Sequence, residues 1–219
     1  MKKRNKQNFK YIAGLDEAGR GSLIGPMILS LCAVDLRGYQ NNLGHLRDSK
    51  YYGSSAKGKE KRRELSLMIK QSTRVFIFEV SAEYIDYCLT HGRSLNNLEI
   101  EAARVMLSQL DKPGKTQIKA DGERIFSPLV AEFPTLEAEN KADDKYPITA
   151  AASIVAKTSR DQWMEDYYRR MALPFECGGG GYPNQATARF VDFYREKYGK
   201  FPPSYRHSWK KKPQKLPLF

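Results

Sequence analysis

Apolar positions in this chain follow two spacings: short continuous runs, and recurrences every three to four residues. Residues 9–15 and 27–34 are short apolar runs with Gly25-Pro26 between them, which predicts two strands joined through a turn. Residues 74–80, rich in β-branched and aromatic side chains, predict a third strand. Residues 116–120 predict a fourth, ending at Asp121-Gly122. Helical spacing governs much of the rest. Leu65, Met68 and Ile69 mark a helix within 59–72, and Leu95, Leu98, Ala102, Val105, Met106 and Leu110 mark one over 94–110. Ser81 is placed to cap a helix over 82–89. Two more helices are expected at 149–171, opening on Ala150-Ala151-Ala152, and at 184–198. Residues 35–58 read mostly as loop, and 178–181 are an unbroken glycine run. Strands interleaved with helices give an α/β class with a mixed sheet. The C-terminal helices read as an appended lobe.

Composition narrows this picture. The 219 residues are 41% hydrophobic and 28% charged, enough for a sizeable core. No apolar run reaches membrane length, and no signal-type hydrophobic stretch follows the basic Met1-Lys2-Lys3-Arg4. Cys32, Cys88 and Cys177 are far apart and odd in number, which fits neither a disulfide framework nor a zinc site. Reduced thiols in a cytoplasm are the expectation. The net charge of +12 resides entirely in the ends: five Lys/Arg in residues 1–10 and seven in residues 197–219, with no acid in either stretch. Such ends suit a phosphate backbone, although solubilising tails would have the same composition. No coiled-coil pattern is present, and a monomer is expected.

Four acids stand out by context. Asp16 and Glu17 follow the first apolar run and precede Ala18-Gly19-Arg20-Gly21. Asp121 closes the fourth predicted strand, and Asp143 lies in Lys141-Ala142-Asp143-Asp144 ahead of the long helix, with Asp144 as an adjacent rival. Strand ends and helix approaches are where side chains converge in α/β folds. Adjacent acids on a strand alternate across it, so at least one faces the core, where an unpaired carboxylate is costly. Hard divalent cations take oxygen ligands and remove that cost. Taken singly, Asp121-Gly122 is also an ordinary turn dipeptide.

These residues, in order, resemble the ribonuclease HII family, the prokaryotic type 2 ribonucleases H, over roughly residues 10–209. Gly14-Leu15-Asp16-Glu17-Ala18-Gly19-Arg20-Gly21 with Gly25-Pro26 looks like the first motif of that family, and Asp48-Ser49-Lys50 like the second. Ala120-Asp121-Gly122 is similar to the third, and Lys141-Ala142-Asp143 with 151–157 and Arg160-Asp161 to the fourth. Gly181-Tyr182-Pro183 is similar to the fifth, while Ser22-Leu23-Ile24 is bulkier than the family pattern. The resemblance implies an RNase H-like mixed sheet flanked by helices, with a helical C-terminal extension. It divides the chain into a basic tail (1–10), a catalytic core (11–172), the extension (173–209) and a second basic tail (210–219).

The same resemblance implies a metal-dependent endonuclease using Mg²⁺ or Mn²⁺. Its substrates would be RNA/DNA hybrids and duplex DNA with embedded ribonucleotides, incised on the 5′ side to leave 5′-phosphate and 3′-hydroxyl ends. Asp16, Glu17, Asp121 and Asp143 would be the catalytic, metal-binding acids. Asp16 would bridge two ions, Glu17 and Asp121 would complete the shell of one, and Asp143 that of the other. Gly19, Arg20 and Gly21 would recognise the ribose 2′-hydroxyl, the one group that marks RNA against DNA. Tyr182 would stack on the neighbouring deoxyribose, and Lys50, Ser153 and Lys157 would contact phosphate. Two other readings keep the fold: a hybrid-binding module without catalysis, and a metal nuclease acting on DNA alone. All four acids argue against the first, and Gly19-Arg20-Gly21 with Tyr182 against the second. Finally, residues 214–219 (Gln214-Lys215-Leu216-Pro217-Leu218-Phe219) resemble short peptides that dock on DNA sliding clamps, though the preferred reading packs them back on the chain's own surface.

Overall fold

The structure is a computed structural model that describes residues 8–47, 49–53, 55–175 and 177–209, apart from the side chains of Ser49 and Lys50. Five strands form one sheet: β1 (Tyr11–Ala18), β2 (Met27–Asp35), β3 (Arg74–Val80), β4 (Thr116–Asp121) and β5 (Leu136–Glu139), in the order β3-β2-β1-β4-β5. β1, β2 and β3 pair antiparallel, whereas β1–β4 and β4–β5 are parallel, so the sheet is mixed as expected. The helices are α1 (Leu36–Gly38), α2 (Ala56–Ser72), α3 (Ala82–Thr90), α4 (Leu95–Ser108), α5 (Glu123–Phe126), α6 (Ala142–Lys145), α7 (Pro147–Met171) and α8 (Gln185–Tyr198). Ser81 caps α3 through the Tyr84 amide, and Ser94 opens α4 with a reciprocal capping box to Asn97.

Three departures from the sequence reading have local causes. β1 does not stop at Leu15: pairing with β2 continues through Asp16↔Ser30, Glu17↔Leu29 and Ala18↔Ile28, so both acids lie inside the strand. β5 was not expected, because Leu136-Glu137-Ala138-Glu139 has no apolar run; its parallel pairing to β4 makes it a strand. Residues 35–58 are not mostly loop, since α1, a π-helical turn (Tyr39–Leu43), a 3-10 turn (Ser49–Tyr52) and the start of α2 occupy much of them.

Each sheet face has its own core. Ala13, Leu15, Leu29 and Leu31 pack with α3 and α4 through Ile85, Leu98, Ala102 and Met106. Ile12 and Cys32 face the other way, onto α7 through Ile148, Ala151, Ile154 and Val155 and onto α2 through Ile69. Residues 148–156 of α7 are buried all round, which is why this half of the helix has no polar face. α7 crosses β1 so closely that a Cβ on Gly14 would sit 2.3 Å from the Ile148 carbonyl oxygen. A third cluster joins Ile24 to Met164 and Tyr167 of α7, Phe190 and Val191 of α8, and Tyr205. The bulky Ile24 therefore serves to fasten the loop after β1 to the C-terminal elements. Among the described residues, no helix is long and apolar enough to cross a membrane.

The Gly14 contact yields a stability prediction. Gly14→Ala should lower unfolding free energy by about 1–3 kcal/mol, because backbone on both sides must shift. Urea denaturation measures it, and an unchanged midpoint would mean that α7 does not rest on β1 at that point.

Candidate active site

The parallel register of β1 and β4 sets Leu15 beside Ala120, so the next residues, Asp16 and Asp121, emerge side by side on the α7 face. α6 follows β5 and turns the third acid toward them: the Ala142 amide donates to Asp121 Oδ1 at 3.0 Å, and Asp143 next to it is buried. The result is a cluster in which carboxylate oxygens of Asp16, Asp121 and Asp143 all lie within 4.8 Å of one another. Asp144 is exposed, so geometry selects Asp143 over its neighbour. A set of hard oxygen donors converging in this way fits Mg²⁺ or Mn²⁺.

The cluster is electrostatically unbalanced without a cation. Burial pushes the Asp16 carboxyl up to about 7, and the charges of Asp121 and Asp143 add to the effect. Lys157 and a hydrogen bond from Ser153 oppose it. These two helpers lie one turn apart on α7, and Lys157 Nζ donates to Ser153 Oγ at 2.8 Å. Ser153 is fully buried beside Asp16, and Lys157, half-buried, sets its charge near the same carboxyl.

Glu17 projects to the opposite face of β1 and does not join the group of three. It meets α4, where the wholly buried Glu99 forms an ion pair with Arg20. Arg20 Nη2 also donates to Asn96 Oδ1 at 2.7 Å. Burial holds the Glu17 carboxyl well above the usual range, with Asp16 and Glu99 adding and Arg20 opposing.

The loop 19–26 lies beside the acids. Gly19 takes φ +84°, and a Cβ there would meet the Arg160 Nε at 2.2 Å, so glycine is structurally required. Gly21 differs: a Cβ there would meet nothing within 4 Å and would project into open space. The Gly19 amide donates to the Tyr182 hydroxyl at 3.1 Å, and the Leu23 and Ile24 amides donate to the Gly181 carbonyl. Thus the glycine run and Tyr182 dock directly on the loop. Tyr182 is 39% exposed, with the Arg160 guanidinium 4.6 Å from its ring centroid.

Two buried arginines complete the loop's support. Arg160 donates to the Pro26 and Ile24 carbonyls, and Arg206 to those of Gly19, Arg20 and Gly25. Arg206 belongs by sequence to the basic C-terminal end suited to phosphate, but its side chain is fully buried. Glu99 gave a single signal in the sequence, a charged residue at a helical position flanked by the apolar Leu98 and Ala102. The Lys50 side chain, Asp48 and residues 210–219 lie outside the described residues.

Comparison with known proteins agrees with this geometry. A family model described as Ribonuclease HII matches residues 13–212. A ribonuclease HII of Thermococcus sibiricus is 36% identical over 210 residues, covering 91% of this chain and 88% of the relative. The crystal structure of ribonuclease H2 from Pyrococcus horikoshii superposes with a TM-score of 0.75 at 30% identity, covering 91% of this chain and 94% of that one. The ribonuclease HII of Archaeoglobus fulgidus, solved in complex with PCNA, superposes with a TM-score of 0.71 at 27% identity, covering 90% and 93%.

The Asp16 environment predicts a pH dependence. Between pH 3.8 and about 7 the folded, metal-free protein keeps a proton on Asp16 that the unfolded chain has released. Native protein then binds more protons than unfolded protein, so this contribution to stability falls as pH rises through the window. Asp16→Asn should flatten that part of the pH–Tm curve in chelator. A wild-type slope in the variant would assign the titration to another group.

Proposed function

The chain belongs to the ribonuclease HII family and is an RNase H-type endoribonuclease; from this premise we propose that it hydrolyses RNA in RNA/DNA hybrids and incises duplex DNA on the 5′ side of embedded ribonucleotides. The observation that carries the proposal is the convergence of Asp16, Asp121 and Asp143 beside a glycine-rich loop with an open face. These three acids would hold Mg²⁺ or Mn²⁺, and Glu17, across the strand, is the fourth acid of the reading. Divalent ions supply acidification of a water and stabilisation of the departing 3′ oxygen, which leaves 5′-phosphate and 3′-hydroxyl products.

The chain's own residues do the rest. Ser153 holds Asp16 in one orientation, and Lys157 lowers the repulsion among the acids. Gly21 leaves room for a sugar where any side chain would project. The amides of Arg20 and Gly21 find no acceptor among the described residues and are free to meet a 2′-hydroxyl oxygen. Tyr182, tied to Gly19 through its hydroxyl, would set its ring against the adjoining deoxyribose. The 2′-hydroxyl is recognised and is not the nucleophile, so no histidine pair is needed. Residues 11–172 would be the catalytic core and 173–209 an extension that carries Tyr182. The complex of the A. fulgidus relative with PCNA supports a sliding clamp as partner, with residues 214–219 as the candidate contact.

One assay tests the reaction: cleavage of all-DNA, single-ribonucleotide and long-hybrid duplexes, with and without divalent metal. Only the ribonucleotide-containing duplexes should be cut, and only with metal. Asp16→Asn and Asp121→Asn should abolish cutting while salt-sensitive binding persists; full activity in either removes the metal assignment. The two glycines should separate cleanly. Gly19→Ala should destabilise the fold by about 1–3 kcal/mol through its positive φ. Gly21→Ala should keep the wild-type Tm yet lose about tenfold or more in kcat/KM on the single-ribonucleotide duplex, roughly the worth of one hydrogen bond. Undiminished kcat/KM for Gly21→Ala would discard the sugar-reading role.

A further inference from the structure

The segment after α8 runs back across the loop 19–26 as a strap. The Gly25 amide donates to the Ser204 carbonyl at 2.9 Å, the Arg206 amide donates to the Leu23 carbonyl at 2.8 Å, and Ile24 and Tyr205 form an isolated bridge. The strap is pinned from outside by α3. Asp86 accepts from the His207 amide at 2.6 Å and the Ser208 amide at 2.9 Å, and Glu83 accepts from the Ser204 hydroxyl at 3.0 Å. From this strap Arg206 reaches beneath the loop and donates to Gly19 O (2.8 Å), Arg20 O (3.0 Å) and Gly25 O (2.8 and 3.0 Å).

These bonds set more than position. In a planar trans peptide, the carbonyl of one residue and the amide of the next point in opposite directions. Drawing the Gly19 and Arg20 carbonyls inward therefore turns the Arg20 and Gly21 amides outward, on the face where a Cβ of Gly21 would find open space. A planar guanidinium with several fixed donors can hold three carbonyls at once, whereas a lysine ammonium has a single centre. Arg206 forms no ion pair with any described carboxylate, and burying an unpaired cation is costly. The three carbonyls are what offset that cost.

We infer that Arg206 is a positioning residue for ribose recognition: carried on the C-terminal strap, it fixes the peptide planes that present the Arg20 and Gly21 amides to the 2′-hydroxyl. This rests on the reading of residues 19–21 as the ribose-sensing loop. The test measures affinity by fluorescence anisotropy, in the full-length Asp121→Asn background with Mg²⁺, for a single-ribonucleotide duplex and its all-DNA counterpart. The parent should prefer the ribonucleotide duplex. Arg206→Lys should cut that preference about tenfold or more, as expected for a displaced hydrogen-bond donor. Asp86→Ala, on the exposed side of the strap, should cut it in the same direction by less, with Tm near that of the parent. Folded Arg206→Lys with its preference intact overturns the inference. Should Arg206→Lys fail to fold, Asp86→Ala decides, and an unchanged preference there overturns it equally. A parent without preference removes the ribose-sensing reading itself, and the inference with it.

Discussion

Desolvation of a carboxylate that two further acids crowd is the constraint on which this site is built. Asp16, Asp121 and Asp143 are forced within 4.8 Å by elements that have no freedom to separate them. Two lie on adjacent parallel strands in fixed register, and the third is brought in by a short helix whose first amide is tied to Asp121. Burial is the larger cost: it pushes the Asp16 carboxyl up to about 7, and the charges of Asp121 and Asp143 add to it. A single lysine, acting partly through Ser153, offsets some of it. Stability is thus given up locally to hold the three acids together, and the close seat of α7 on Gly14 keeps the backbone from relaxing away from that arrangement.

Alternation along β1 divides the remaining work between the two faces of the sheet. Asp16 looks toward α7 and the other acids, whereas Glu17 looks toward α4, Glu99 and Arg20. Arg20 is tied to α4 by the fully buried Glu99 and by Asn96, on the same side as Glu17. Its side chain is therefore engaged within the protein, and the open space beside the loop lies at Gly21. The same holds for the glycines: Gly19 is needed by the fold, whereas among the described residues nothing approaches the place of a Gly21 Cβ.

Much of this was legible in the sequence because it rests on local signals. Apolar runs located four of the five strands, serine caps fixed the starts of α3 and α4, and the acids at Asp16, Asp121 and Asp143 could be picked out by context. What could not be read depends on pairing across long separations. β5 exists only because β4 offers it an edge, and β1 runs on through its acids only because β2 keeps pairing with it. Arg206 looked like one more charge in a basic tail, since nothing local reveals that three carbonyls almost two hundred residues away will surround it. Glu99 was hidden for the same reason, its partner being Arg20.

The Arg160 guanidinium lies against the Tyr182 ring, while the hydroxyl of that ring is committed to Gly19. One side of the aromatic plane and its polar tip are thus already occupied by the protein. A sugar stacked there, as proposed, would have the other side to use. In the proposed reading, an asymmetric surface of that kind would give a bound strand a direction, separating the neighbour that precedes a given nucleotide from the one that follows.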